Sequence, residues 1–225
     1  MHSTPRGASR GTPLLALLLL LLSLGGCASP SPDLYSLEPR PGRVRLSPAL
    51  ADGRPGGRPG GRPSGRPSGR QVTVVRSVGL PRYLEREEIV RAAGGTRLRL
   101  AGNDWWGEPL RVMMRRVLVA DLAQRLPGAD VLADDGPVAA HPDAEVDVDV
   151  QRFDRDAGGV DLGGPVLLDG YAAVTHPTPG PGQLRTLDRL HSVVPTVADT
   201  TKAQVDAMST ALGQVADAVA GRIAP

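Results

Sequence analysis

The chain contains a single cysteine, Cys27, and this constrains its fold more than any other feature. Because there is no second thiol, an internal disulfide cannot form, and any folded domain has to be stabilised by the packing of its core. Metal sites built from cysteine clusters are excluded for the same reason. The four histidines lack the i, i+4 or short-loop spacing of a zinc site. We therefore expect neither a metal nor another cofactor.

The segment before Cys27 is typical of a bacterial lipoprotein signal peptide. The first ten residues are polar and include two arginines, and they precede an apolar run of about a dozen residues, too short for a membrane-spanning helix. The run ends in Leu24-Gly25-Gly26-Cys27, which resembles the lipobox where lipoproteins are cleaved and acylated. We predict a signal peptide in residues 1–26 and lipidation, including palmitate, at Cys27. The alternative is an ordinary secretory signal with an incidental cysteine.

A low-complexity segment, here named the arginine tract, occupies residues 39–70. Gly-Arg-Pro recurs in it every four residues from Gly53 to Gly65, with few apolar residues to bury, so we expect disorder. Residues 38–70 contain eight arginines and two acidic residues. Two interpretations stay open. Either the arginines bind the phosphates of anionic lipid or lipopolysaccharide, or the tract is a soluble spacer.

The remaining residues, 71–225, have the opposite charge and the length of one domain. They contain 16 basic and 21 acidic residues, a net charge of −5, whereas the whole chain has a net charge of +2. A domain that binds nucleic acid clusters Lys and Arg on the fold itself. We therefore exclude nucleic acid as a partner.

Hydrophobic periodicity predicts two amphipathic helices in this region. Apolar residues recur every three or four positions from about residue 110 to residue 126 and again from about 200 to 222. Pro109 is suited to the first turn of the first helix, and Asp199 to the N-cap of the second. Strand patterns occur at 34–37, 71–75, 146–150, 166–175 and 184–193, with valines and polar residues alternating in 146–150. The predicted fold is an α/β (or α+β) sandwich, in which two main amphipathic helices cover a mixed β-sheet.

The sequence lacks the motifs of common enzymes. There is no Gly-x-Ser-x-Gly nucleophile motif, and the only lysine, Lys202, does not follow a glycine-rich phosphate loop. Asp147 and Asp149 are two residues apart on a predicted strand, which is typical of an ordinary polar face. We therefore predict that the protein is not an enzyme.

Two dense segments carry a family resemblance. The first box is Leu80-Pro81-Arg82-Tyr83-Leu84-Glu85-Arg86, and the second is Trp105-Trp106-Gly107-Glu108-Pro109. They resemble the Leu-Pro-x-Tyr-Leu-Asp-Arg and Trp-Ala-Glu-Pro-Leu motifs of the ABC-type transport auxiliary lipoproteins, of the paraquat-inducible protein C type. A Tyr-x-Leu and an Arg-Phe-Asp motif of that family match Tyr35-Ser36-Leu37 and Arg152-Phe153-Asp154. The departures are Glu85 for Asp, Gly107 for Ala, and Ala92 where a polar or basic residue is common.

The resemblance implies a non-enzymatic outer-membrane lipoprotein that faces the periplasm. Its partners would be an MCE-domain protein that bridges the envelope and the associated permease of a lipid transport system, and it would form a ring-like homo-oligomer. Ala28 after Cys27 agrees with sorting to the outer membrane. The chain then divides into the signal peptide (1–26), a lipidated tether with a first short strand (27–38), the arginine tract as linker (39–70) and the family domain (71–225).

The two boxes have both a structural and a functional interpretation. They shape a turn and lock the start of a helix, or they contact the partner, as exposed aromatic and arginine residues often do. An alternative function is a lipid- or lipopolysaccharide-binding lipoprotein without an MCE partner, which needs an apolar pocket of a few hundred Å³. An envelope hydrolase would need a catalytic set that the sequence does not offer. The candidate partner-contact residues are Leu80, Pro81, Tyr83, Leu84, Arg86, Trp105, Trp106, Glu108 and Pro109.

Overall fold

The computed structural model describes residues 31–45, 70–135, 141–156, 163–177 and 183–224. The chain separates into two units, residues 1–31 and residues 32–225. The fold belongs to the second unit, and only Ser31 of the first is described. The predicted signal peptide and Cys27 therefore lie outside the described residues. None of the helices in the described part is long and apolar enough to cross a membrane.

The described residues form eight strands and two α-helices, with one 3₁₀ turn at Arg82–Leu84. In chain order the elements are β1 (Asp33–Tyr35), β2 (Gln71–Gly79), β3 (Glu88–Ala92), β4 (Leu98–Trp106), α1 (Leu110–Arg125), β5 (Ala129–Ala133), β6 (Ala144–Arg155), β7 (Val166–Pro177), β8 (Gln183–Val194) and α2 (Thr201–Ile223).

The strands form one mixed sheet around the long strand β6. On one side β6 pairs antiparallel with β7, which pairs antiparallel with β8. On the other side the first half of β6 pairs in parallel with β2, followed by β5. The second half of β6 pairs in parallel with β3. Strand β3 pairs antiparallel with β4, and β4 pairs in parallel with β1. The edge strand β1 thus carries the chain that comes from Cys27.

Both helices pack on the sheet and on each other. Helix α1 lies on β2 and β5, and α2 lies on β6, β7 and β8. The valines at 146, 148 and 150 are buried, whereas Asp147 is half-buried and Asp149 exposed. This is the alternation expected of a strand with one polar face. The predicted mixed sheet with two main amphipathic helices is confirmed.

The N-cap of α2 differs from the sequence prediction. Thr200 occupies the cap position, and its hydroxyl accepts a hydrogen bond from the N–H of Ala203 at 3.1 Å. The predicted cap, Asp199, instead forms ion pairs with Arg155 and Arg91. These arginines hold the pKa of Asp199 below its usual value, Arg155 contributing most through its hydrogen bond and charge. Because the carboxylate of Asp199 is bound by arginines, the next residue with a side-chain oxygen, Thr200, caps the helix instead.

Residues 36–45, here named the strap, cross the two helices, and this corrects part of the disorder prediction. Leu37 is 1% exposed in the core, and the N–H of Arg40 donates to the carboxylate of Asp121 at 2.7 Å. The expectation of disorder is therefore wrong for residues 39–45. Arg70, at the other end of the tract, binds Asp130. Residues 46–69 lie outside the described residues.

Candidate functional site

The two sequence boxes meet at one surface groove with a volume of about 550 Å³. Most of its exposed lining consists of apolar atoms, and both tryptophans contribute to it. The first box contributes Leu80, Glu85 and Arg86, the second contributes Trp105, Trp106, Gly107, Glu108 and Pro109, and the neighbouring lining residues are Glu87, Leu110, Arg111 and Val112. The structure therefore brings together segments that are about twenty residues apart in the sequence.

Strand pairing explains why the boxes meet. The first box leads into β3 and the second ends β4, and these strands are antiparallel with Glu88 opposite Trp105. The N–H of Trp106 donates to the carbonyl of Glu87 at 2.7 Å, which fixes the register at the groove. Trp106 is 6% exposed and packs in the core, whereas Trp105 is half-buried. Trp105 is therefore the aromatic residue that the groove offers to another molecule.

The chain turns from β4 into α1 at the groove wall. Pro109 precedes the first helical residue, and its carbonyl accepts from the N–H of Val112 at 2.9 Å. A proline at a helix start costs no hydrogen bond, because the first N–H groups have no partner within the helix. The sequence prediction of a helix start at this proline is confirmed. Trp106 itself is the last residue of β4.

Three ion pairs between described residues surround the groove. Arg111 forms an ion pair with Glu85, and Arg116 donates to Glu108 through Nε at 3.1 Å. Arg86 lies 3.5 Å from the carboxylate of Glu88. Exposed pairs of this kind stabilise a fold by only about 0–1 kcal/mol each. With Glu87, four carboxylates and three arginines of the described part surround the groove, a net charge of −1 that suits an apolar ligand better than a phosphate.

Three candidate partner-contact residues lie outside the groove lining. Leu84 is 3% exposed, so it is a core residue, and its assignment as a partner contact is corrected on that ground. Pro81 precedes the 3₁₀ turn, and its carbonyl accepts the N–H of Leu84 at 3.0 Å. The side chain of Tyr83 points away from the groove, toward Asp154 of β6. The other six candidate partner-contact residues all line the groove: Leu80, Arg86, Trp105, Trp106, Glu108 and Pro109.

Tyr83 connects the first box to the Arg152-Phe153-Asp154 motif. Its hydroxyl donates to the carboxylate of Asp154 at 2.7 Å, and Arg152 binds the other oxygen of that carboxylate at 3.0 Å. Burial, followed by the hydrogen bond to Asp154, raises the pKa of Tyr83 well above its usual value. Phe153 is fully buried. These motif residues hold the 3₁₀ turn on β6 and thereby position the groove.

Sequence reasoning missed the wall of the groove formed by α1. Val112 is 43% exposed, and Arg111 has about half of its side chain exposed. Val112 does not follow the spacing of the buried stripe formed by Leu110, Met113, Met114 and Val117. An apolar residue off the stripe, one turn after a proline, is the signal that would have marked this wall.

The titratable groups of the described part do not assemble a metal site. No group of three or more His, Cys, Asp or Glu side chains converges within residues 31–45, 70–135, 141–156, 163–177 and 183–224. His191 binds Asp169 at 2.7 Å on the surface. The neighbouring hydroxyl of Ser192 is buried and donates to Gln214 at 2.6 Å instead. The pair of His191 and Asp169 therefore does not activate that serine.

Comparison with known proteins places the chain in a family. Residues 57–220 match the family model of the ABC-type transport auxiliary lipoprotein component. The chain belongs to this family. The match covers β2 through most of α2 and so includes both boxes and the groove. The resemblance found in the motifs is thereby confirmed. No curated protein is significantly similar to the chain.

Solved structures share the fold of this family member. A Xanthomonas campestris protein of the DUF330 family model is 18% identical, with a TM-score of 0.57 over 86% of this chain and 93% of the other. A second crystal structure, of an uncharacterized protein, is 22% identical, with a TM-score of 0.57 over 68% of this chain and 92% of the other. At these identities the comparison concerns the fold alone.

Proposed function

We propose that this auxiliary lipoprotein is a non-enzymatic docking component of an MCE-type lipid transport system at the outer membrane. The observation that carries the proposal is the groove, where two boxes of the family motif form one apolar surface. A transport auxiliary component has to bind other parts of its system. An accessible groove with Trp105 and Arg86, residue types that dominate binding energies, is suited to that task.

The proposed lipid anchor allows a moderate affinity of the groove to be sufficient for docking. With acyl chains on Cys27 the protein is confined to the periplasmic face of the outer membrane. Confinement of the protein and of an envelope-spanning partner to one surface raises their effective concentration, so that a moderate contact suffices. The partner proposed from the family resemblance is the MCE-domain protein, with its permease in the inner membrane. A homo-oligomer would present several grooves to it.

Binding measurements on groove variants test the docking role. Trp105→Ala in the mature lipoprotein should weaken binding of the periplasmic part of the MCE-domain protein by about thirtyfold, since a central aromatic anchor contributes about 2 kcal/mol. Arg86→Ala should weaken it less. Binding is measured by surface plasmon resonance, and circular dichroism checks that each variant is folded.

Two matched variants control this experiment. Tyr171→Ala removes a partly exposed aromatic ring from β7, and Arg189→Ala removes an exposed arginine from β8, both far from the groove in the sheet order. Neither should change the affinity. Equal effects at Tyr171 and Trp105, or unchanged binding by the folded Trp105→Ala variant, would show that the partner binds elsewhere.

The anchor has a separate test. Cys27→Ser should abolish incorporation of labelled palmitate and leave an unprocessed precursor, because the modified thiol is missing. In the same experiment, cell fractionation should find the wild-type protein in the outer membrane. Normal maturation and membrane association of the Cys27→Ser variant would exclude lipidation at this residue.

The same groove supports a second candidate function, binding of a lipid. Its volume of about 550 Å³ and its apolar lining lie in the range of ligand pockets. A groove that binds phospholipid should retain it through purification, which native mass spectrometry detects. Stoichiometric phospholipid without any affinity for an MCE-domain protein would favour this function over docking.

A further inference from the structure

The strap is attached to both helices along its length. At its start Leu37 is 1% exposed beside Met113 of α1, and the N–H of Glu38 donates to Ser209 of α2 at 3.1 Å. At its end the N–H of Arg45 donates to the carbonyl of Arg125 at 2.7 Å. The strap thus crosses from the first turn of α1 to its last residue.

A buried arginine holds the middle of the strap. Arg125 is 1% exposed and donates to the carbonyl of Arg40 at 3.0 Å, to that of Gly213 at 2.9 Å and to the carboxylate of Asp217 at 2.9 Å. The strap passes so close that a Cβ atom on Gly42 would lie 2.2 Å from the guanidinium. Only glycine therefore fits at this position of the strap while Arg125 keeps its partners.

Strap and β1 together shorten the connection between the proposed anchor and the fold. Five residues, 28–32, separate Cys27 from the start of β1 at Asp33, and a chain of this length spans at most about 20 Å. Without β1 and the strap the connection would run from Cys27 to Arg70. Its root-mean-square length would be about 35 Å for a flexible chain.

We propose that the strap, and not the arginine tract, sets the distance between the lipid anchor and the fold. This inference rests on the proposed lipidation of Cys27. Asp33 pairs with Asp104, the residue before Trp105, so the anchor leaves the fold at the strand that ends in the groove. Asp33, at the start of this strand pair, can lie no more than about 20 Å from Cys27.

The proposal gives the arginine tract a different role from that of a spacer. Arg45 is bound at the end of α1, and Arg70 donates to the carbonyl of Ala129 at 2.8 Å at the start of β5. Arg45 and Arg70 therefore lie at the same corner of the fold, as the residues that flank an insertion do. Both β1 and the strap precede the region that the family model matches.

Cleavage within the arginine tract distinguishes the covalent link to Cys27 from the non-covalent contacts of β1 and the strap. A cleavage site for a specific protease is placed between residues 57 and 61 of the mature lipoprotein in phosphatidylethanolamine and phosphatidylglycerol vesicles. After cleavage, residues 62–225 have no covalent link to Cys27. We expect them to sediment with the vesicles, because the strap and β1 still bind them. Their release into the supernatant from the wild-type sequence would overturn the proposal.

Two substitutions of leucine make the result specific. Leu37→Asp places a charge in the core and removes a burial that alone favours binding of the strap roughly thirtyfold, so this variant should release residues 62–225 after cleavage. Leu34→Asp is the matched control, since Leu34 is 65% exposed on β1, and it should remain bound. Gly42→Val should behave like Leu37→Asp. Equal retention of Leu37→Asp and Leu34→Asp would contradict the proposal.

Failure of the anchor and failure of the strap give different results. If uncut protein does not sediment with vesicles, lipidation at Cys27 is wrong. The strap is then assessed by gel filtration of the cut protein, where co-elution of the two fragments supports it and their separation overturns it.

Discussion

Asp121 is the residue whose ionisation is most affected by the fold. Its carboxyl group is buried under the strap, and burial raises its pKa to about 6, although the N–H of Arg40 and the charge of Arg125 favour the ionised form. Because the pKa in the folded state lies above that of the unfolded chain, the folded state binds the proton more tightly. Asp121 therefore adds stability as the pH falls from about 6 toward 4, and this contribution is lost as the pH rises through 6.

We predict that Asp121→Asn removes this pH dependence. Asparagine keeps an oxygen acceptor for the N–H of Arg40 but does not titrate. Between pH 7 and pH 4.5 the free energy of unfolding of the wild type should rise by about 2 kcal/mol relative to the variant. Urea denaturation of both proteins across this range measures the difference. Parallel profiles would show that the pKa of Asp121 is not raised in the fold.

Individual residues also show where sequence reasoning reaches its limit. Leu84 and Tyr83 stand in the first box as candidate contacts, but Leu84 is buried and Tyr83 binds Asp154, 71 residues away in the sequence. Asp199 is as good a cap as Thr200 on sequence grounds, and only the approach of Arg155 decides between them. Each outcome depends on a residue more than forty positions away, which local patterns do not contain.

Among the elements, those with a regular hydrophobic pattern were predictable, and those without one were not. Both helices and strands β7 and β8 carry regular patterns and were found near their observed bounds, whereas the prediction for β6 ended at residue 150, five residues before Arg155. Strands β3, β4 and β5 were missed. In β4, Leu98 and Leu100 are exposed, and Gly102 takes a φ of 62° that interrupts the strand pattern. Without β3 and β4 the register that joins the two boxes cannot be derived, so the groove was beyond sequence reasoning.

At the scale of the whole molecule, composition placed the boundary between the first folded residues and the linker too early in the sequence. The shift to Gly, Arg and Pro begins at Pro39, yet the chain stays on the fold to Arg45. The residues responsible are Arg40 and Arg43, whose N–H groups bind Asp121 and Asp217. Backbone hydrogen bonds of this kind need no apolar side chain, so hydrophobic patterning does not indicate them.

Two deletions compare the parts of this segment directly. Deletion of residues 53–69 should leave the melting temperature nearly unchanged, because a Gly- and Pro-rich segment with few apolar residues adds little to a core. Deletion of residues 31–45 should destabilise the protein by about 3 kcal/mol or more. It exposes the apolar site of Leu37 to water and removes the hydrogen bond from the N–H of Arg40 to Asp121.

The comparison is made by calorimetry on chains that begin after the signal peptide and carry Ser at position 27, so that lipid does not contribute. For a domain of this size, 3 kcal/mol corresponds to a melting temperature lower by roughly 10 °C. Substitution of Leu37 by Ala should account for about 2 kcal/mol or more of the loss, since the fully buried side chain leaves a cavity. If the short deletion of residues 31–45 is as harmless as that of residues 53–69, the strap does not belong to the folded unit, and the proposed control of anchor distance fails with it.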